Sequence, residues 1–216
     1  MSRDYPARSS RRQGRGERYA EGRGSRHVGR GGQREPSFRL FFAVDIPENA
    51  VDGLVLWQSE LLASERMLRI TPAGQLHITL VFLGKMGEKE KDIALEHLGA
   101  VNDRSAIEAT ATGIVGLPRD RSPRVIAARI AEPAGRIAAI YNELAAALEE
   151  KELYKREKRP FFPHVTIART RGRSHLELSE MHPEPVKFTA VRITLYNSIL
   201  KANGAEHVAL KSVQLN

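Results

Sequence analysis

The sequence predicts an α+β fold, two pseudo-symmetric lobes around a central cleft, each a mainly antiparallel sheet with flanking helices. Two observations carry this. The order strand, helix, turn, strand occurs twice, and each second strand contains His-x-Thr, in "LHITL" at 76–80 and "PHVTI" at 163–167. The spacing repeats too: 34 residues separate Ala43 from His77, and 35 separate Arg129 from His164. The half-repeats run from about 38–118 and 119–216, after a tail at 1–37.

The first strand is "FRLFFAVDI", apolar on both faces and so interior. Asp45 is a plausible N-cap and Pro47 a good early residue of the helix that follows. Val51, Leu54, Val55, Leu61 and Leu62 keep helical spacing to about Ser64. After the turn "TPAG" comes the strand "QLHITLVFLG", then a charged helix over 88–101 and a strand over 106–115. The second half opens with the strand "PRVIAARIA". Ile137, Ile140, Tyr141, Leu144 and Leu148 give an amphipathic helix to about Leu153. The basic turn "YKREKRP" leads to the strand "FFPHVTIAR". One strand, "VKFTAVRITLYNSIL", and a last one, "GAEHVALKSVQL" after a turn at Asn203 and Gly204, complete the fold.

Composition excludes several classes. No apolar run approaches the roughly 20 residues of a membrane helix, so no membrane span is expected. The basic N-terminus lacks the apolar segment of a secretory signal. With no cysteine, thiolate nucleophiles, thiolate metal sites and disulfides are excluded. A cytoplasmic monomer is the expectation.

Charge is uneven. The net charge is +8, and residues 1–37 hold ten Arg and four acids, a net +6. Seven of the 17 glycines lie there as well. Such a segment has almost nothing to bury and is expected to be disordered. It reads either as an arm that binds RNA nonspecifically or as a solvated leader. Glu17, Glu21 and Glu35 interrupt the charge, which argues against a transit peptide.

Residues i and i+2 of a strand share a face, so His77 sits with Thr79, and His164 with Thr166. If both strands face one cleft, two imidazoles and two hydroxyls meet there. That set suits phosphoester chemistry. Imidazole titrates at about pH 6.5, so one ring can accept a proton while the other donates one. Threonine hydroxyls can hydrogen-bond phosphate oxygens without adding charge. A single strand histidine is more often a satisfied structural residue; two at matching places favour catalysis. A zinc site would need a third ligand, and none stands out. No carboxylate cluster suggests Mg²⁺, so a metal-free, cofactor-free reaction is expected. His27, His97, His175, His182 and His207 are assigned no chemistry. Lys155, Arg156, Lys158 and Arg159 precede the second motif, and Arg169, Arg171 and Arg173 follow it, a flank suited to a polyanion such as RNA.

These residues resemble the 2H phosphoesterase superfamily, named for paired His-x-Thr/Ser motifs. The chain from about Phe38 onward is similar to bacterial and archaeal RNA 2′,3′-cyclic phosphodiesterases, also called 2′-5′ RNA ligases. The resemblance rests on "RLFFAVDIP", "LHITLVFLG", "RPFFPHVTIAR" and "LYNSIL". It implies hydrolysis of RNA 2′,3′-cyclic phosphate ends to 2′-phosphates, with 2′-5′ ligation as a secondary, reverse use of the site. It implies His77 and His164 as the catalytic pair, either one the base, and Thr79 and Thr166 as phosphate binders. It also places Phe82 and Arg169 beside the terminal base or phosphate, although strand parity turns a residue five past each histidine away from it unless a bulge intervenes. Two other readings remain: a 2H enzyme for another cyclic phosphate, such as ADP-ribose 1″,2″-cyclic phosphate, and a non-catalytic RNA-binding module.

Overall fold

The computed structural model describes residues 36–64, 68–101, 104–172, 178, 181–202 and 204–216. Nearly all of the Arg/Gly-rich tail, Leu62's side chain and Asn203 therefore lie outside the described residues. Nine strands and three α-helices are described: β1 (Phe38–Asp45), α1 (Glu48–Ser64), β2 (Leu68–Ile70), β3 (His77–Met86), α2 (Glu88–Gly99), β4 (Ile107–Leu117), β5 (Val125–Ala131), α3 (Arg136–Glu150), β6 (His164–Thr170), β7 (Val186–Ala190), β8 (Arg192–Lys201) and β9 (Gly204–Gln214). They form one antiparallel sheet in the order β7-β4-β5-β6-β3-β1-β8-β9, with the short β2 also paired to β6.

The sheet narrows at its middle. β3 and β6, the two motif strands, share one backbone pair, Ile78 with Val165. On one side lie β3, β1, β8 and β9; on the other lie β6, β5, β4 and β7. These arms cut across the sequence halves, because β4 pairs with β5 and β7 while β8 pairs with β1.

The run 186–200, expected as one strand, is two. Val191 alone separates β7 from β8, yet they lie near opposite ends of the strand order. The sheet must curl for this to happen. The C-terminus ties the curl: Leu215 N–H donates to Val191 O at 2.7 Å, and Asn216 exchanges backbone hydrogen bonds with Arg104 and Ala106. Interior strands explain the apolar runs. Leu40, Phe42 and Val44 of β1 are buried, as are Ile78 and Leu80 of β3, Val165 and Ile167 of β6, and Ile193 and Leu195 of β8.

Each long helix follows one arm and covers the other. α1 follows β1 but packs on β6 and β7; α3 follows β5 but packs on β3. The buried stripe of α1 is Ala50, Leu54, Trp57, Gln58 and Leu61, and that of α3 is Ile137, Ile140, Tyr141, Leu144 and Leu148. Gly53 lets α1 approach β7, since a Cβ there would lie 2.6 Å from Val186 Cγ2. Asp45, expected as an N-cap, instead ends β1, and its carboxylate is taken up by three side chains of β8, described below.

Candidate active site

Each motif strand begins at its histidine, and the carbonyl two residues upstream fixes the ring. His77 Nδ1 lies 2.7 Å from Gln75 O, and His164 Nδ1 lies 2.7 Å from Phe162 O. A carbonyl only accepts, so Nδ1 carries the proton in both rings. In the neutral ring Nε2 is then the free base, aimed away from that anchor. His77 Nε2 accepts from the Thr79 hydroxyl at 3.0 Å. The antiparallel pair Ile78–Val165 sets His77 on the side of Thr166, and Thr79 on the side of His164.

A cavity of about 330 Å³ opens here. His77, Thr79, Phe82, Thr166 and Arg169 all line it; His164 stands outside this lining. Three arginines, Arg39, Arg69 and Arg169, line it and, among the described residues, no carboxylate does, so the cavity suits an anion.

Strand parity is reset by bulges. In β3, Val81 pairs with Phe42 and Thr79 with Ala43, so Leu80 is skipped. In β6, Ala168 pairs with Ile126 and Thr166 with Ala127, so Ile167 is skipped. Leu80 and Val81 are consequently both buried, as are Ile167 and Ala168. The extra residue returns Phe82 and Arg169 to the face of the histidines. Phe82 is 47% exposed, with the Arg39 guanidinium 5.4 Å from its ring centre.

Burial pushes the His77 imidazole down to about 4, opposed by the hydrogen bond to the Gln75 carbonyl and deepened by His207 and His164 nearby. His77 is therefore neutral at pH 7. Behind it Phe41 stacks on Tyr196 at 5.2 Å and contacts His77 at 4.9 Å. Tyr196 and Thr194 donate to the buried Asp45 carboxylate at 2.9 and 2.8 Å, and Arg192 Nε donates to it as well. Burial, then the Asp45 charge, pushes the Tyr196 phenol up to about 12.

His207, to which the sequence assigned nothing, lines the cavity with its ring edge-on to His77 at 5.4 Å. Burial first, then Arg169, lowers its pKa. Arg39, Arg69, Gln75 and Ser198 were also missed. Gln75 Nε2 donates to Ala205 O at 2.8 Å, holding the tip of the β8–β9 hairpin beside the cavity. Gly204, at the start of β9 with φ +129°, leaves room for the Arg69 guanidinium where a side chain would stand. One signal was available. Arg192, Thr194 and Tyr196 alternate with Ile193 and Leu195, which marks a polar strand face near a site. Among the described residues no three His, Asp or Glu side chains converge as metal ligands.

Known proteins resemble this chain in sequence and in fold. A curated protein of Thermus thermophilus named RNA 2′,3′-cyclic phosphodiesterase is 34% identical over 143 residues, 62% of this chain and 69% of that protein. One of the same name from Methanocaldococcus jannaschii is 27% identical over 180 residues, 80% of this chain and 98% of that protein. The crystal structure of the Thermus thermophilus protein TT0787 overlays with a TM-score of 0.70 at 27% identity, covering 82% of this chain and 97% of that one. The 2′-5′ RNA ligase superfamily model matches residues 67–200, more than half the chain and both motifs. This chain belongs to the 2′-5′ RNA ligase superfamily, within the 2H phosphoesterase fold.

Proposed function

We propose that the chain hydrolyses RNA 2′,3′-cyclic phosphate ends to 2′-phosphates by two-histidine acid–base catalysis. The observation that carries this is the matched anchoring of the two rings, each Nδ1 held by the carbonyl two residues upstream, at the single backbone pair that joins β3 to β6. Relatives named RNA 2′,3′-cyclic phosphodiesterase support the substrate class.

The cyclic phosphate sits against Thr79 and Thr166, with Arg169 opposing its charge. Its anionic oxygens draw the Thr79 hydroxyl off His77 Nε2 and raise that imidazole's basicity. His77 takes a proton from water as the water oxygen bonds to phosphorus. His164, as the imidazolium, gives its proton to O3′ as the P–O3′ bond breaks. The ring opens to a 2′-phosphate and a 3′-hydroxyl, and the histidines exchange protons through solvent. The neutral state of His77 at pH 7 favours it as the base. With a 5′-hydroxyl in place of the attacking water, the same steps form the P–O5′ bond as P–O3′ breaks and join two ends through a 2′-5′ linkage.

The test is a short RNA ending in a 2′,3′-cyclic phosphate, incubated in EDTA with the native chain, His77→Ala and His164→Ala. The expected product is a 2′-phosphate, with each variant slower by about 10²–10⁴-fold. A 3′-phosphate product, or undiminished turnover by either variant, rejects the mechanism.

A further inference from the structure

We propose that Phe162 is a second base-stacking platform, holding the nucleoside one step 5′ of the cyclic end, so that an oligoribonucleotide is preferred to a free nucleoside cyclic phosphate; this rests on the reaction proposed above. Two consecutive phenylalanines part company before β6. Phe161 turns inward and stacks on Tyr141 at 4.2 Å and 8°. Phe162 turns outward and is 38% exposed.

A lone exposed phenylalanine is ordinary; the position of this one is not. Its ring lies nearly parallel to His164, 5.8 Å away at 18°, while its own carbonyl fixes His164 Nδ1. The ring thus stands alongside a histidine of the pair, on the backbone segment that anchors it. Two residues before the other histidine, Gln75 spends its side chain on the hairpin tip. No such task is seen for the Phe162 ring.

The two exposed phenylalanines of the described chain, Phe82 and Phe162, flank the histidine pair. Phe82 lines the cavity, whereas Phe162 lies outside it beside His164. A terminal base at Phe82, with its phosphate between the histidines, leaves the 5′ continuation of the strand to pass His164. Charge on the segment that leads into Phe162 fits a phosphodiester backbone. Lys155, Lys158 and Arg159 are exposed and make no ion pair among the described residues, whereas Arg156 is held by Glu149 and Asn142. Aromatic stacking plus basic side chains is how single strands are held without reading their sequence.

The experiment compares kcat/KM on a dinucleotide and on a mononucleoside, both ending in a 2′,3′-cyclic phosphate, for the native chain and for Phe162→Ala, Phe162→Leu and Phe162→Trp. Titration calorimetry gives the matching ratio of affinities for the 2′-phosphate forms of the same two molecules. The dinucleotide preference should fall roughly 5- to 150-fold in Phe162→Ala and in Phe162→Leu, the loss of one base stack, and should appear in KM. Phe162→Trp should retain it. An unchanged preference in Ala and Leu, or none in the native chain, overturns the proposal. Failure of the native chain to turn over either substrate overturns the reaction instead, and the affinity ratios still decide the stack.

Discussion

Leu80 and Ile167 occupy the same place in the two motif strands, three residues past His77 and His164, and each is skipped where pairing slips just after the motif threonine. The consequence is shared. Without these bulges Phe82 and Arg169 would face the core; with them both line the cavity.

A bulge leaves backbone groups out of the ladder, and the second one is answered from a helix. Ile167 O accepts from Thr71 N–H at 3.0 Å and from Gln58 Nε2 at 2.9 Å, while Gln58 Nε2 also donates to Thr71 O at 2.8 Å. Gln58 is buried on α1, so its amide acts as a strut between helix, turn and bulge. Gln58→Leu keeps the bulk, strips Thr71 O of this donor and leaves Ile167 O with the Thr71 N–H alone. The expected loss is about 1–3 kcal/mol, read from the urea midpoint at unchanged slope. Arg169 loosens with the bulge, so KM should rise alongside.

His77 makes stability depend on pH in a known direction. It takes up a proton at about pH 4 in the folded chain, and at about pH 6.5 once unfolded. Between those values the unfolded chain binds more protons, so stability is full above pH 6.5 and declines as pH falls toward 4. His207, lowered by burial, adds in the same sense. Denaturation curves at several pH values across this window should show a shallower decline in His77→Gln than in the native chain. Parallel declines would contradict a buried, neutral His77.

Asp45 gathers Arg192, Thr194 and Tyr196 behind the aromatic wall of the site. Asp45→Ala leaves three donors without their acceptor. Arg192 is half-exposed and water can recover it, so the expected cost is about 1.5–3 kcal/mol rather than that of a fully buried pair. The Tyr196 phenol, now at about 12, should titrate lower yet stay above 10, because burial is the larger cause of its shift. Ultraviolet phenolate titration follows this directly.

Local pattern was enough for a good deal. The alternation in "LHITL" and "PHVTI" placed each histidine with its threonine on one strand face, and apolar spacing located α1 and α3 to within a few residues. Those are short-range properties, set by the periods of strand and helix. The recurrence of one motif at matching places was equally legible, and with it the chemistry open to the pair.

What lies between distant segments came from packing. No periodicity could show that Val191 sends the chain from one end of a curled sheet to the other, or that β4 crosses to the second arm. His207 enters the site through a relay of pairings, β9 on β8, β8 on β1 and β1 on β3, each set by long-range burial rather than local preference. The face presented by Phe82 and Arg169 hung on one skipped residue per strand. Only packing against β1, β5 and α1 made Leu80 and Ile167 those residues, because a bulge is stable only where neighbours bury its extra side chain and satisfy its freed backbone.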